Sequence, residues 1–229
     1  MEIGTLYIVA IPIGNPDDIT LRAIKTLEAV DAIICEEFKP ARRFLKRHEL
    51  QKKELLQINE HNEKEESEAV LIRMLQSGES MALISDCGTP VFSDPGHYLI
   101  KTAIEYDIPV VPIPGPSSLM TALSVLAFQP TEFVYGGFLS RNSKQRSREM
   151  IRLREFQMPV VLMDTPYRLT AILQDANKVF GKGRQATLAC NLTKPGEKIY
   201  RGRLEDILSQ VEGKKAEFIL VIHAYQKYH

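Results

Sequence analysis

The first half of the chain alternates short apolar runs with amphipathic segments, and this alternation limits the possible folds most strongly. The first run, residues 5–11, is nearly continuous, as expected of a strand buried on both faces of a sheet. Strands connected through helices lie parallel. The strand runs are residues 5–11, 32–35, 55–58, 80–84 and 110–113, and the helical segments are 20–30, 39–47, 63–77 and 98–106. The first half is therefore expected to form an α/β domain with a mainly parallel sheet.

The second half has a different order of elements. Its predicted strands are residues 133–136, 160–163, 186–189, 199–200 and 218–222, and its predicted helices are 144–156, 167–180 and 204–211. Only one helix lies among the last three strands, which predicts a mixed sheet. Between the halves, prolines 112, 114 and 116 stiffen the backbone, and Ser117 can cap a helix that reaches about Ala127. We expect two α/β domains, 1–114 and 115–229.

Composition excludes several classes of protein. Lys plus Arg and Asp plus Glu both count 29 among 229 residues, so a nucleic-acid partner would need a local basic patch. The three cysteines lie far apart, without the spacing of a zinc site or a disulfide set. We therefore expect no metal. No apolar run is long enough to cross a bilayer and no secretory signal is evident, so we expect a cytoplasmic protein without a membrane partner.

The segment 83–96, LISDCGTPVFSDPG, begins as an apolar strand and becomes a polar loop. Ligands of open α/β sheets bind at such carboxyl ends of strands. The Asp86 carboxylate could accept hydrogen bonds from a ribose or an amine, and Gly88 would let a ligand approach the backbone. The alternative is that Asp86 and Thr89 only build an Asx turn. The same choice applies to Asp94.

Other loops offer further candidates, each with a structural alternative. His61 could act as a base, although a lone histidine is more often a polar loop residue. Glu36, after the second strand, could be catalytic or could simply open a solvated helix. Residues 114–118 could hold a carboxylate or phosphate, or only cap a helix. The chain has neither the G-x-G-x-x-G motif of a dinucleotide site nor a P-loop.

Basic residues are concentrated in two predicted helices. These residues are Lys39, Arg42, Arg43, Lys46 and Arg47 in one helix, and Arg141, Lys144, Arg146, Arg148, Arg152 and Arg154 in or beside the other. Such helices are usually solvated faces. The functional alternative is contact with nucleic-acid phosphates.

Several of these motifs, in this order, resemble one family. They are TLYIVAIPIGN at 5–15 with DIT at 18–20, HNE at 61–63, residues 83–96, PGPS at 114–117, GFL at 137–139 and LTK at 192–194. Together they resemble the ribosomal RNA small subunit methyltransferase I family, within the tetrapyrrole methylase-like, or class III, methyltransferases. The resemblance implies two α/β domains with S-adenosylmethionine in the cleft between them, a homodimer, and 2′-O-methylation of a cytidine ribose in small-subunit ribosomal RNA.

The resemblance also suggests roles for individual residues. Those expected to contact the cofactor are Pro12, Asp86, Gly88, Thr89, Ser117, Ser118, Met163, Ala189 and Cys190. Loop placement and the resemblance together suggest Glu36, His61 and Asp94 as candidates for removing the ribose proton. By the same reasoning Asn15, Arg168 and Lys194 would orient the acceptor or its phosphate.

Two alternative functions stay open from the sequence. One is a methyltransferase of the same fold with a small molecule or another acceptor, which the neutral net charge favours. Differences from the family also favour this alternative: the chain has CEEFK at 35–39 and DTPYR at 164–168, where the family usually has AEDTR and ESPHR. The other alternative is a non-catalytic module that binds RNA or the cofactor, because a fold does not establish an activity.

Overall fold

The computed structural model describes residues 3–92 and 94–225. The chain divides into two compact units, Met1–Ser117 and Ser118–His229, and each is described by itself. The domain boundary after residue 114 stays a prediction.

The first unit is built on a five-stranded sheet in which every strand pair is parallel. The strands are β1 (Leu6–Val9), β2 (Ala32–Cys35), β3 (Glu54–Gln57), β4 (Met81–Leu83) and β5 (Val110–Ile113). Their order across the sheet is β3-β2-β4-β1-β5. The prediction of a mainly parallel sheet is confirmed. Because the strands are parallel, the loops that follow them all leave from the same edge of the sheet.

Four helices connect these strands, and two apolar clusters pack on the sheet. The helices are α1 (Leu21–Ala29), α2 (Phe38–Arg47), α3 (Glu63–Ser77) and α4 (His97–Glu105). The Thr20 hydroxyl caps α1 by accepting from the Ala23 N–H. Gly78, in the left-handed conformation at φ 70°, ends α3 where the sequence predicted a stop. One cluster contains Val9, Leu27 and Ile33, and the other contains Leu6, Ile34 and Met74.

The second unit contains a mixed five-stranded sheet, as predicted. Its strands are β6 (Val134–Gly137), β7 (Val160–Asp164), β8 (Gln185–Cys190), β9 (Lys198–Arg203) and β10 (Phe218–Ile222), in the order β6-β7-β10-β8-β9. Only β6 and β7 pair in parallel, whereas the other pairs are antiparallel. The central strand β10, with sequence FILVI, is buried along its whole length. Described residues of this unit, among them Met150, Leu173 and Leu220, form one apolar cluster.

The helices of the second unit are α5 (Ser118–Ser124), α6 (Ser143–Glu155), α7 (Leu169–Phe180) and α8 (Leu204–Val211). Two predicted helix boundaries in this unit were wrong by two residues or more. Helix α5 ends at Ser124, before Ala127, where the Ser124 hydroxyl donates to the Thr121 carbonyl and the chain turns. The helix expected from Tyr167 begins instead as a 3-10 turn, Pro166–Arg168, and becomes an α-helix at Leu169.

None of the helices in the described ranges has both the length and the apolar character needed to span a bilayer.

Candidate active site

Acidic side chains gather at the carboxyl edge of the parallel sheet in the first unit. Glu36 and Glu37 follow β2, Glu60 lies beyond β3, and Asp86 and Asp94 lie in the loop after β4. The charges of Asp94, Asp86, Glu37 and Glu60 all act on Glu36. The fold therefore brings together candidate residues that are up to 58 positions apart in the sequence, from Glu36 to Asp94.

Glu36 has the most strongly perturbed carboxyl group of this cluster. Burial raises its pKa from an ordinary value of 4.5 to about 7, and the negative charge of Asp94 and its acidic neighbours adds to the rise. A carboxylate with a pKa near neutrality can accept a proton at physiological pH and is well matched to general-base work. The structure thus gives Glu36 an electrostatic property that its sequence position did not reveal.

Asp86 and Asp94 are perturbed in the same direction. The pKa of Asp86 is raised because the surrounding loop atoms remove part of the water around its carboxylate. Asp86 still reaches solvent, and a hydrogen bond that it accepts from the Glu37 backbone N–H opposes this rise in pKa. Burial, followed by the charge of Asp86, raises the pKa of Asp94. Clustered carboxylates with raised pKa values are typical of binding and catalytic sites, and they favour a cationic ligand.

A chain of hydrogen bonds holds these loops in place. The Gln57 side chain donates to the Glu36 carbonyl at 2.9 Å, and the Asn62 side chain donates to the Gln57 carbonyl at 3.1 Å. One Glu63 carboxylate oxygen accepts from the backbone N–H groups of Gly96 and Tyr98, at 2.8 and 2.9 Å. Glu63 therefore fastens the loop that carries Asp94 to the start of α3. Sequence reasoning gave no role to Glu63 or Gln57, because their partners are distant in sequence.

The loop after β4 is also held against the end of β1. The backbones of Ile11 and Gly88 exchange two hydrogen bonds, of 2.9 and 3.1 Å. Gly88 has φ +77°, and a Cβ there would lie 3.1 Å from the Ile13 Cγ2 atom. The Thr89 hydroxyl donates to the Pro116 carbonyl at 3.2 Å. Val91 has a positive φ of 69°, an uncommon conformation for a β-branched residue and one that often accompanies functional loops.

The remaining candidates of the first unit lie in nearby loops with different surroundings. Pro12 is half-buried directly after Ile11, and Ser117 is half-buried beside Pro116. Asn15 is exposed, and its side-chain oxygen accepts from the Asp17 N–H at the start of a 3-10 turn. His61 is also exposed, and within the described chain its side chain forms no hydrogen bond or ion pair with Glu36 or Asp94.

Four cofactor candidates belong to the second unit. Ser118 is the first residue of α5. Met163 is half-buried in β7, and the Tyr135 hydroxyl lies 2.9 Å from its sulfur. Ala189 and Cys190 end β8 and are buried, and burial raises the pKa of the Cys190 thiol to about 11. Their contact with a cofactor stays a prediction, as it does for the candidates of the first unit.

Arg168 and Lys194, the predicted acceptor-orienting cations, both have partners within the second unit. Arg168 donates to the carbonyls of Leu139 and Ser140, at 3.0 and 2.7 Å, and pairs with the Asp164 carboxylate at 3.1 Å. Lys194 forms an ion pair with Glu217. The structure therefore ties Arg168 to the loop between β6 and α6.

The basic residues on α6 differ in burial: one is buried in an ion pair and others are exposed. Arg146 is buried, and its guanidinium pairs with Asp175 at 2.6 Å and donates to the carbonyls of Ser140 and Arg141. Placing Arg146 on a solvated or phosphate-binding face was therefore wrong, because this side chain links α6 to α7. Arg148 and Arg152 are exposed. A local basic pattern cannot show which arginine turns inward to a distant carboxylate.

The acidic edge of the first sheet combines carboxylates with the Thr89 hydroxyl, beside the Gly88 backbone that pairs with Ile11. Carboxylates bind ammonium groups and ribose hydroxyls, and their charge favours a sulfonium. These residues therefore fit S-adenosylmethionine. In the ranges 3–92 and 94–225, no group of His, Cys, Asp and Glu side chains is arranged to hold a metal ion.

Comparison with known families agrees with this geometry. Residues 5–208 match the family model of the Tetrapyrrole (Corrin/Porphyrin) Methylases. This match includes both sheets apart from β10.

Proteins with similar sequences include several named ribosomal RNA small subunit methyltransferase I. A ribosomal RNA small subunit methyltransferase I from Micromonospora olivasterospora is 37% identical over 96% of this chain and 70% of its own length. The protein of that name from Escherichia coli O157:H7 is 36% identical over 97% of this chain and 79% of its own length. That from Thermotoga maritima is 37% identical over 93% of this chain and 94% of its own length.

Solved structures share the fold at lower sequence identity. A diphthine synthase superposes with a TM-score of 0.72 at 14% identity, covering 96% of this chain and 90% of its own. A uroporphyrin-III-C-methyltransferase from Thermus thermophilus superposes with a TM-score of 0.64 at 23% identity, covering 96% and 94%. These likenesses establish the fold.

Proposed function

Because this chain belongs to the ribosomal RNA small subunit methyltransferase I family of the tetrapyrrole methylases, we propose that it methylates small-subunit ribosomal RNA. The enzyme is an S-adenosylmethionine-dependent methyltransferase. The proposed acceptor is the 2′-hydroxyl of a cytidine ribose, which is consistent with the family name. The observation that carries the proposal is the group of carboxylates, Glu36, Asp86 and Asp94, that the fold brings together at the carboxyl edge of the parallel sheet.

We assign cofactor binding in the first unit to the loops after β1 and β4. The Asp86 carboxylate is suited to accept from the cofactor's ribose hydroxyls or ammonium group. Gly88, with a φ of +77° and the Ile13 side chain where a Cβ would lie, lets this loop pack against the end of β1. When bound, S-adenosylmethionine supplies an electrophilic methyl group attached to a cationic sulfur. After transfer of the methyl group, that sulfur is part of a neutral thioether. Pro12, Thr89 and Ser117 would complete this part of the site.

Glu36 is the best candidate for the general base. A ribose hydroxyl must lose its proton as its oxygen bonds to the incoming methyl carbon and the carbon–sulfur bond breaks. The Glu36 carboxylate would receive that proton, and its pKa of about 7 lets it do so near neutral pH. Asp94 keeps a negative charge beside Glu36 and thereby helps to hold that pKa high. His61 is exposed, and in the described chain its side chain forms no hydrogen bond or ion pair with Glu36 or Asp94.

The acceptor-orienting roles differ in their support. Asn15 is exposed at the end of the loop after β1, where a nucleotide could meet its side chain. Arg168 is already engaged with two loop carbonyls, so we propose that it acts on the acceptor through that loop. Lys194 would have to exchange Glu217 for a phosphate in order to bind the acceptor.

Methyl transfer from radiolabelled S-adenosylmethionine to small ribosomal subunits and to their extracted RNA tests the proposed function. We expect label in the RNA, and about a hundredfold or greater loss of rate in Glu36→Gln, as for removal of a general base. Glu28→Gln, an exposed acidic-to-neutral change on α1, is the matched control. Transfer only to small molecules would favour the alternative acceptor, and absence of cofactor binding would favour a non-catalytic role.

Two further properties belong to the same proposal. We propose that the enzyme is a homodimer, as in the family it resembles, which light scattering during gel filtration would test. A ribosomal RNA substrate would also place it in the cytoplasm. Imaging of a fluorescent fusion would test that location.

A further inference from the structure

The loop between β6 and α6 presents an exposed aromatic side chain next to a groove. The groove has a volume of about 390 Å³ and is lined by Phe138, Leu139 and Gly136 together with the α6 residues Arg148, Glu149, Arg152 and Leu153. Phe138 is 50% exposed, whereas its neighbour Leu139 is buried. Single exposed apolar residues are ordinary, so the surroundings of Phe138 decide its meaning.

The loop that carries Phe138 is held by side-chain hydrogen bonds from three residues, Arg146, Glu149 and Arg168. Arg168 donates to the carbonyls of Leu139 and Ser140, and Arg146 donates to those of Ser140 and Arg141. The Glu149 carboxylate accepts from the Ser140 N–H at 2.8 Å. These contacts fix the backbone beside Phe138, so the ring is held at the surface by a preorganised loop.

The charge of the groove is positive. Arg148 and Arg152 are one helical turn apart on α6, and both are exposed. In the described part of the chain, neither has a carboxylate within ion-pair distance. Glu149, the acidic residue of the groove, is already bonded to the Ser140 N–H and to the Gln145 side chain. Two arginines without acidic partners thus lie beside an exposed ring.

We propose that this groove binds a single-stranded segment of the RNA substrate, with a base stacked on Phe138 and phosphates held by Arg148 and Arg152. Aromatic rings that stack unpaired bases, next to cations that contact the backbone, are the usual means of binding single strands. A duplex offers no free base face to Phe138. This inference rests on the proposed function, because it names the surface that holds the proposed RNA substrate.

Binding of a short fluorescein-labelled single-stranded RNA of mixed sequence, measured by anisotropy over a series of salt concentrations, separates the two contacts. Phe138→Ala should weaken binding about tenfold without changing the salt dependence, and Phe138→Tyr should restore it. The double variant Arg148→Gln, Arg152→Gln should reduce the slope of log K against log salt by about 1.4, the effect of two lost phosphate contacts on a single strand.

Control variants come from the same helix outside the groove. Phe156, at the end of α6, is 51% exposed, and Arg154 donates to the Val179 carbonyl. Phe156→Ala and Arg154→Gln should bind the RNA as the unchanged protein does. All variants should bind S-adenosylhomocysteine with unchanged affinity in calorimetry, which verifies folding.

The outcomes distinguish this inference from the proposed function. If the unchanged protein methylates ribosomal RNA but the groove variants keep their RNA affinity and salt slope, the groove assignment is overturned and the function stands. If the groove variants and the controls lose affinity alike, the assignment is also overturned. If the unchanged protein neither binds nor methylates RNA, both fail.

Discussion

Replacement of Glu36 by glutamine should make the protein more stable while it removes activity. In the folded protein Glu36 has a pKa of about 7, compared with an ordinary value of 4.5. Between these values an unfolded chain has released the proton while the folded protein still holds it. The stability of the unchanged protein should therefore fall as pH rises through this window, because the unfolded state binds fewer protons.

The size of the effect follows from the pKa values. A rise in pKa from 4.5 to about 7 corresponds to about 3 kcal/mol if fully expressed. Glu36 is only half-buried, and solvent screening reduces the expected value to about 1–2 kcal/mol. Glutamine has a similar shape and no charge, so Glu36→Gln should recover this free energy above neutral pH. Below the ordinary pKa the two proteins should be equally stable.

Urea unfolding of the cofactor-free protein at about pH 4.5 and about pH 8 would measure the difference, with Glu28→Gln as a control for loss of one surface charge. Methyl transfer by Glu36→Gln should fall by about two orders of magnitude or more. Stability gained at the expense of activity is typical of residues kept for function. If Glu36→Gln is no more stable than the unchanged protein at the higher pH, or if its gain in stability is the same at both pH values, then Glu36 does not have the raised pKa in the folded protein.

Other contacts give further predictions. Asp86→Asn should weaken cofactor binding about tenfold in calorimetry, because one charge-assisted hydrogen bond becomes neutral; unchanged affinity would mean that the cofactor lies elsewhere. Arg146→Met should lower the free energy of unfolding by about 3–5 kcal/mol, because it removes the buried partner of the Asp175 carboxylate and leaves the exposed Lys178 in its place; a loss under about 1 kcal/mol would show that the pair is not buried in solution. Glu63→Ala should raise hydrogen exchange at the Gly96 and Tyr98 amides; unchanged protection of both would contradict its role in fastening the loop.

Much of the fold could be predicted because local patterns determine it. The apolar run at 218–222 became β10 and the amphipathic segment at 204–211 became α8, with the predicted bounds. Helix α5 was shorter than predicted because the Ser124 side chain competes for a backbone carbonyl, a contact that propensity does not reveal. The sheet order was not predicted, because it depends on packing between segments that are distant in sequence.

Part of the candidate site could likewise be predicted from the sequence, and part could not. Placement in the loops that follow strands, together with the resemblance, was enough to propose Glu36, Asp86 and Asp94, along with His61. Their mutual charge effects could not be predicted, because the sheet order had to bring the loops after β2 and β4 side by side. The partners of Arg146 and Arg168 also could not be predicted, since a basic side chain shows no preference in sequence for solvent, phosphate or a distant acceptor.

The central claim is that this chain methylates a ribose of small-subunit ribosomal RNA. The most direct measurement is to map alkali-resistant positions in RNA from small ribosomal subunits incubated with S-adenosylmethionine and the purified protein. A 2′-O-methyl group prevents strand cleavage at its own nucleotide. We expect a new resistant cytidine that is absent without the protein and strongly reduced with Glu36→Gln. The absence of any new resistant position in RNA incubated with a protein that binds the cofactor would contradict this function.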